Sequence, residues 1–349
     1  MKVIISERLK MSKIARSIFL VVSILALSTA SARAQQYTIK FATVAPDGST
    51  WMNVMHEYDA AVRKESGGRL GFKFYPGGIA GDEKDVLRKI RIGQYQAAGF
   101  TGVGMGEIAP EVRILDTPFL FRSTAEIDYI YNKFNDEFSQ AFEHGGFVLL
   151  GWAEVGFVYI YTQKPIYSVQ DMKDVKAWMW EGDPIAQVSF KVLHLTPIPL
   201  SITDVNSALQ TGMINCVYAP PLAAIALQWF TKVKYMLDVP LANSSGSVLI
   251  SKKYFDSLPQ DLQQILLKDG KIYLSKLTEL SREDNLKAIQ TLHSKGIIIT
   301  QPRSKSELAY YYQTGQEARQ MLVGKLYSEQ LLQQVESALE QFRKEHHGK

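Results

Sequence analysis

Apolar and polar residues alternate over residues 37–43 (YTIKFAT), a period of two that turns one face of a strand toward a core. Pro46, Asp47, Gly48 and Ser49 interrupt the chain, and over 51–62 the apolar positions recur at the helical period. The order strand, turn, helix then returns: a strand over 70–75, a helix over 83–92, a short strand over 95–101 and a helix over 124–142. Such alternation predicts an α/β layer fold on a largely parallel sheet. Residues 147–161 (FVLLGWAEVGFVYIY) are too long, and too rich in β-branched and aromatic side chains, for one simple strand. They read as a strand passing from a first lobe into a second.

After Pro165 the pattern restarts. A helical turn is predicted over 169–173, strands over 176–179, 196–199 and 214–218, and helices over 184–193, 203–211 and 221–230, the second of these capped by Gly212. Strands over 235–239 and 247–251 would return the chain to the first lobe. An amphipathic helix of unusual length follows over 259–294, and 304–343 carries one or two more. Each lobe is thus discontinuous in sequence, which favours a hinge of several crossing strands over a single linker.

Composition changes this picture mainly at the start of the chain. Lys2, Arg8, Lys10, Lys13 and Arg16 precede an apolar run over 18–27, and Ala32, Arg33 and Ala34 follow, the anatomy of a secretory signal with cleavage expected after Ala34. The run is about ten residues, against the ~20 that span a bilayer, so the mature chain is expected free in the periplasm. Residues 1–34 hold six Lys/Arg and one Glu, so the formal +4 of the whole chain becomes about −1 after cleavage, and no nucleic-acid partner is implied. Cys216 is the single cysteine, which leaves neither a lipid-anchoring site beside the cleavage point nor an internal disulfide.

Catalytic and metal-binding patterns are not found. Of His56, His144, His194, His293, His346 and His347, only the terminal pair stands at a ligand-like spacing. Gly102, Gly104 and Gly106 do not give the dinucleotide-binding spacing, no nucleophile elbow occurs, and Cys216 reads as a small packing residue. The chain is therefore expected to be neither an enzyme nor the holder of a metal or cofactor. Aromatic residues carry more information: Trp152, Phe157, Tyr159, Tyr161, Trp178, Trp180 and Tyr218 fall on or beside strands where a cleft between lobes would be built. The helix start at Asp47–Thr50 offers an N-cap, or free N–H groups for a ligand anion.

Several stretches, in order over residues 38–290, resemble the periplasmic solute-binding proteins of tripartite ATP-independent periplasmic (TRAP) transporters, the DctP-like family. They are IKFATVAPDGSTW, FYPGGIAGDEKDVLRKIRIGQYQAA, LDTPFLF, DMKDVKAWMW, TPIPLSITDVNSALQTGMIN and VLISKKYFDSLPQDLQQILL. The resemblance implies a two-lobed α/β fold with crossing hinge strands, a long helix spanning both lobes, hinge closure on a small-molecule ligand, a monomer, and partnership with a small and a large membrane subunit. It divides the chain into a signal peptide (1–34), a first lobe (35–157 with 245–282), a second lobe (158–244 with 283–325) and a C-terminal helix and tail (326–349).

Most relatives of this kind place an arginine where Trp178 stands, to hold a ligand carboxylate, and Val158 takes the place of a second arginine. The run from Tyr218 through Pro220 to Ala224 replaces polar ligand-facing residues with apolar ones. The expected ligand is accordingly largely apolar, a lipid or an aromatic or branched organic acid, in a pocket formed by Trp152, Phe157, Val158, Trp178, Trp180, Tyr218 and Pro220. The alternative is a conventional carboxylate held by an arginine from elsewhere, Arg91, Arg113 or Arg122. The sequence is also similar to the TRAP subset that works with a tetratricopeptide-repeat periplasmic lipoprotein.

Overall fold

The computed structural model describes residues 36–346, so the expected signal segment lies outside the described residues. The chain opens with β1 (Tyr37–Ala42), α1 (Thr50–Glu65), β2 (Leu70–Tyr75), α2 (Glu83–Arg91), β3 (Ala97–Thr101), α3 (Gly102–Gly106), α4 (Thr124–His144) and β4 (Phe147–Trp152). It crosses to β5 (Gly156–Thr162), β6 (Trp178–Trp180), α5 (Pro184–Val192), β7 (Ile198–Leu200), α6 (Val205–Thr211), β8 (Cys216–Ala219), α7 (Pro221–Ala226) and β9 (Tyr235–Ser244). It then returns through β10 (Gly246–Ser251), α8 (Lys252–Asp256) and α9 (Gln260–Ser294), and finishes with β11 (Ile298–Thr300), α10 (Lys305–Leu322) and α11 (Glu329–His346).

Two sheets result, one per lobe. The first has the order β2-β1-β3-β10-β4, with β10 antiparallel to both neighbours, and the second has the order β11-β9-β5-β8. A two-stranded parallel ribbon, β6 with β7, completes the second lobe. The first sheet is covered on both faces. Met52, Met55, Tyr58 and Val62 of α1 and Leu262, Leu266 and Leu274 of α9 pack on one side, while α2, α4 and α11 bury Leu87, Phe138 and Leu332 on the other.

Crossing strands form the hinge. The segment over 147–161 expected to pass between the lobes does so as two strands separated at Ala153–Val155, and β9 runs on through Ser244, leaving only Ser245 before β10. The two crossings bond to each other, Ala153 N–H to Gly246 carbonyl (2.8 Å) and Val155 N–H to Ser244 carbonyl (3.0 Å). Pairing with β5 holds residues 242–244 extended even though Asn243 and Ser244 locally favour a turn.

Helix α9 has 35 residues, about 52 Å at 1.5 Å per residue, and packs on α1 and β4 of the first lobe and on α7 and β5 of the second. It approaches β4 closely enough that a Cβ at Gly270 would lie 2.5 Å from the Leu150 carbonyl. Its Arg282 binds Glu154 (2.6 Å) and Asp128 (2.7 Å), and Asn285 donates to the Val155 carbonyl (2.8 Å) while accepting from Leu222 N–H (2.9 Å). The helix thereby grips the first crossing and the second lobe together. Among the described residues no helix is long and apolar enough to cross a membrane.

Candidate functional site: the cleft between the lobes

The lobes enclose a cavity of about 290 Å³ at the carboxyl ends of β1 and β3, where open α/β sheets commonly bind ligands. The first lobe contributes residues 43–46, Trp51, Thr101, Arg113 and Phe119; the crossings contribute Val155, Val158 and residues 241–244. The second lobe supplies Trp178, Trp180, Phe190, Tyr218, Pro220, Leu222 and Leu227, and α10 closes one side with Tyr311 and Gly315.

Five of the seven residues expected from sequence border this space: Val158, Trp178, Trp180, Tyr218 and Pro220. Trp178 and Trp180 are two apart on β6 and so share a face. Trp178 stacks on Tyr218 (4.9 Å) and meets Trp229 edge-on (5.2 Å); only 1% of it is exposed, so it backs the wall more than it faces the interior.

Trp152 and Phe157 correct the expectation. Trp152 packs inside the first lobe against Tyr131 (4.7 Å) and Phe142 (5.9 Å), with its indole N–H on Asn135 (3.1 Å). Phe157 packs against the same first-lobe core, because neighbours on a strand face opposite ways and Val158 has the cleft side. Trp51, Phe119, Phe190, Leu222, Leu227 and Leu241 line the cavity without having been expected. Phe119 is held at φ +55°, an uncommon conformation for a bulky side chain, and its N–H donates to Leu241 (2.7 Å).

Many polar atoms along the walls are bonded within the protein, but the Asn243 amide and the Tyr311 and Ser281 hydroxyls, buried in the lining, have no hydrogen-bond partner. The Trp178 indole donates to the Leu200 carbonyl (3.0 Å), the Trp180 indole to the Asp82 carboxylate (3.1 Å), and the Tyr218 hydroxyl accepts from Trp180 N–H (3.1 Å). Ser49 caps α1 by accepting from Met52 N–H (3.3 Å), and Thr50 donates to Asp284 (2.6 Å). Of the three arginines considered, only Arg113 borders the cavity. It is buried, with Nε on Asp116 (3.0 Å) and Nη2 on Asp183 (2.8 Å), and those carboxylates outweigh burial to strengthen its hold on the proton.

Burial raises the pKa of Asp116 despite Arg113, and pushes Glu83 up to about 7 against the pull of donors from Thr101 and Gly104. It also pushes the Cys216 thiol up to about 12, so this cavity-lining cysteine is an inert packing group. Among the described residues no cluster of three or more His, Cys, Asp or Glu could hold a metal.

Asp82 joins the lobes. Its carboxylate, in the first lobe, accepts from Trp180 Nε1, from Ser201 Oγ (2.6 Å) and from Ile202 N–H (3.2 Å), all in the second. With Arg113 reaching Asp183 as well, the arrangement is that of a receptor closed on its cleft.

The sequence profile of bacterial extracellular solute-binding proteins, family 7 (DctP), matches residues 41–330. The chain belongs to this family. Proteins of the DctP family in TRAP systems bind small molecules and work with membrane subunits; they are not enzymes. Similar DctP-type proteins include the 2,3-diketo-L-gulonate-binding periplasmic protein YiaO of Escherichia coli, 24% identical over 90% of this chain and 95% of its own. A TRAP periplasmic solute-binding protein from Citrobacter koseri with bound D-glucuronate has a TM-score of 0.79 at 21% identity, covering 87% of this chain and 98% of its own. The sugar acid binding protein from Advenella mimigardefordensis in complex with galactonate has a TM-score of 0.81 at 19% identity, covering 88% and 99%. These structures share the two-lobed fold.

Proposed function

We propose that this TRAP-type solute-binding protein closes on a largely apolar small molecule and delivers it to its membrane subunits. The observation that carries this reading is that the Trp178 and Trp180 indole N–H groups, the Tyr218 hydroxyl and the Nε and Nη2 of Arg113 already have protein partners, while the side chains lining the cavity include Val158, Phe119, Leu222 and Leu227. Affinity would come from burying apolar area, at about 25 cal/mol per Å², with few polar contacts to fix orientation.

On this reading the chain is exported by its first 34 residues and acts in the periplasm, alone or with a tetratricopeptide-repeat lipoprotein. The lobes move as units divided near 157/158, 244/245 and 282/283. Sugar acids bound by relatives give the competing reading, in which Arg113 would take a carboxylate.

Thermal-shift measurements on the mature protein separate the two, because a ligand that binds only the folded state raises the melting temperature. Medium-chain aliphatic or aromatic compounds should raise it in a saturable way, and D-glucuronate and galactonate should not. The reverse pattern would restore the sugar-acid reading.

A further inference from the structure

The cavity has an unequal charge balance. Among the described residues that line it, Arg113 stands against three carboxylates, Glu83, Asp116 and Asp183, all buried. Arg113 spends itself on two of them, at 3.0 and 2.8 Å. Glu83 is held instead by uncharged donors, Thr101 N–H (2.8 Å), Thr101 Oγ1 (3.1 Å) and Gly104 N–H (2.7 Å). Asp116 takes a further bond from Ser245 N–H (2.7 Å). Glu83, pushed up to about 7 by burial, carries only part of its charge at neutral pH, but Asp116 and Asp183 together still outnumber Arg113. Buried charges are weakly screened, so this remaining excess of negative charge projects into the space a ligand would fill.

The walls add to this bias. Trp51, Phe119, Phe190 and Tyr218 line the same space, and aromatic faces attract cations and repel anions. A ligand carboxylate reaching Arg113 would meet Asp116 and Asp183 already on its Nε and Nη2, and would crowd a third negative charge into the same buried cluster.

We propose that the ligand's polar end is a cation, an ammonium or amidinium group, on the apolar body inferred above. The inference rests on the apolar reading and narrows it: of the apolar ligands, organic acids are excluded and basic amphiphiles are favoured. Glu83, Asp116 and the rings supply the selectivity through field and surface, with no demand for a dedicated salt bridge.

Titration calorimetry on mature protein, unfolded and refolded to remove any carried ligand, tests this with octylammonium, octanoate and ethylammonium. Octylammonium should bind at least tenfold more tightly than octanoate, and Glu83→Gln and Asp116→Asn should each narrow that ratio severalfold. Circular dichroism and melting curves confirm that each variant folds, and either one alone suffices for the comparison. Octanoate binding as tightly as octylammonium overturns the inference, as does a ratio that both folded variants leave unchanged. Chain length tests the apolar reading separately: ethylammonium matching octylammonium would remove that reading while charge selection stood. Failure of both octyl compounds to bind would remove the two together.

Discussion

The seam where the lobes meet and the cavity they enclose differ sharply in chemistry. At the seam, Asp82 gathers donors from Trp180, Ser201 and Ile202, Arg113 reaches Asp183, and α9 adds Arg282 and Asn285 at the crossings. The cavity adds Leu222, Leu227, Val158, Phe119 and aromatic rings beside the buried Arg113, Glu83, Asp116 and Asp183. Directional, charge-assisted bonds therefore join the lobes, and on the proposed reading most of what remains for the ligand is undirected apolar contact. A receptor that commits its buried arginine and the Trp178 and Trp180 indole N–H groups to its own chain fixes the closed geometry well.

The largest effect should come from breaking the seam at its most buried pair. Arg113→Ala strands Asp116 and Asp183 without their cation, an expected loss of about 3–5 kcal/mol in urea unfolding. A loss near zero would mean that the pair matters only in the closed state.

Next comes pH. Glu83 has its pKa raised from 4.5 to about 7, so the folded protein keeps a proton that the unfolded chain releases. Its contribution is full below about pH 4.5 and disappears as pH rises through about 7, a change of up to about 3 kcal/mol. Melting temperatures across this window should show the slope in wild type and a flatter profile in Glu83→Gln.

Asp82→Asn sharpens the comparison because it keeps the shape and removes the charge from the latch. It should cost the closed state about 2 kcal/mol, the scale of hydrogen bonds to a charged group, and appear as faster release of bound ligand with little change in association. The smallest effect should be Leu222→Ala, which removes apolar contact from the cavity without touching the seam. An affinity loss of about 1 kcal/mol with unchanged unfolding is expected.

Much of the fold was legible because local pattern and tertiary role agree. The strand over 70–75 and the helix over 259–294 appear as β2 and α9 almost to the residue, each with a sustained period of its own kind. The crossings were less so: Ser245 as the sole residue between β9 and β10 depends on pairing with β5, which no local signal encodes.

In the site, period-two spacing placed Trp178 and Trp180 together but could not say which strand faces meet the cleft, so Trp152 and Phe157 were assigned to the wrong side. Trp51 was hidden as an ordinary apolar helix position. Phe119 sits in a loop whose left-handed backbone brings it to the cavity, and only Gly315, where a Cβ would lie 2.5 Å from the ring, makes room for it.

The most direct measurement is native mass spectrometry of the mature protein purified from the periplasm, followed by denaturation and identification of whatever small molecule is released. The account predicts a largely apolar compound at one per chain, with at most a few polar contacts, for which the unpartnered Asn243 amide and Tyr311 hydroxyl are available. Release of a sugar acid or small dicarboxylate at the same stoichiometry would contradict it, and would point to Arg113 and the unpartnered Asn243 and Tyr311 as its partners.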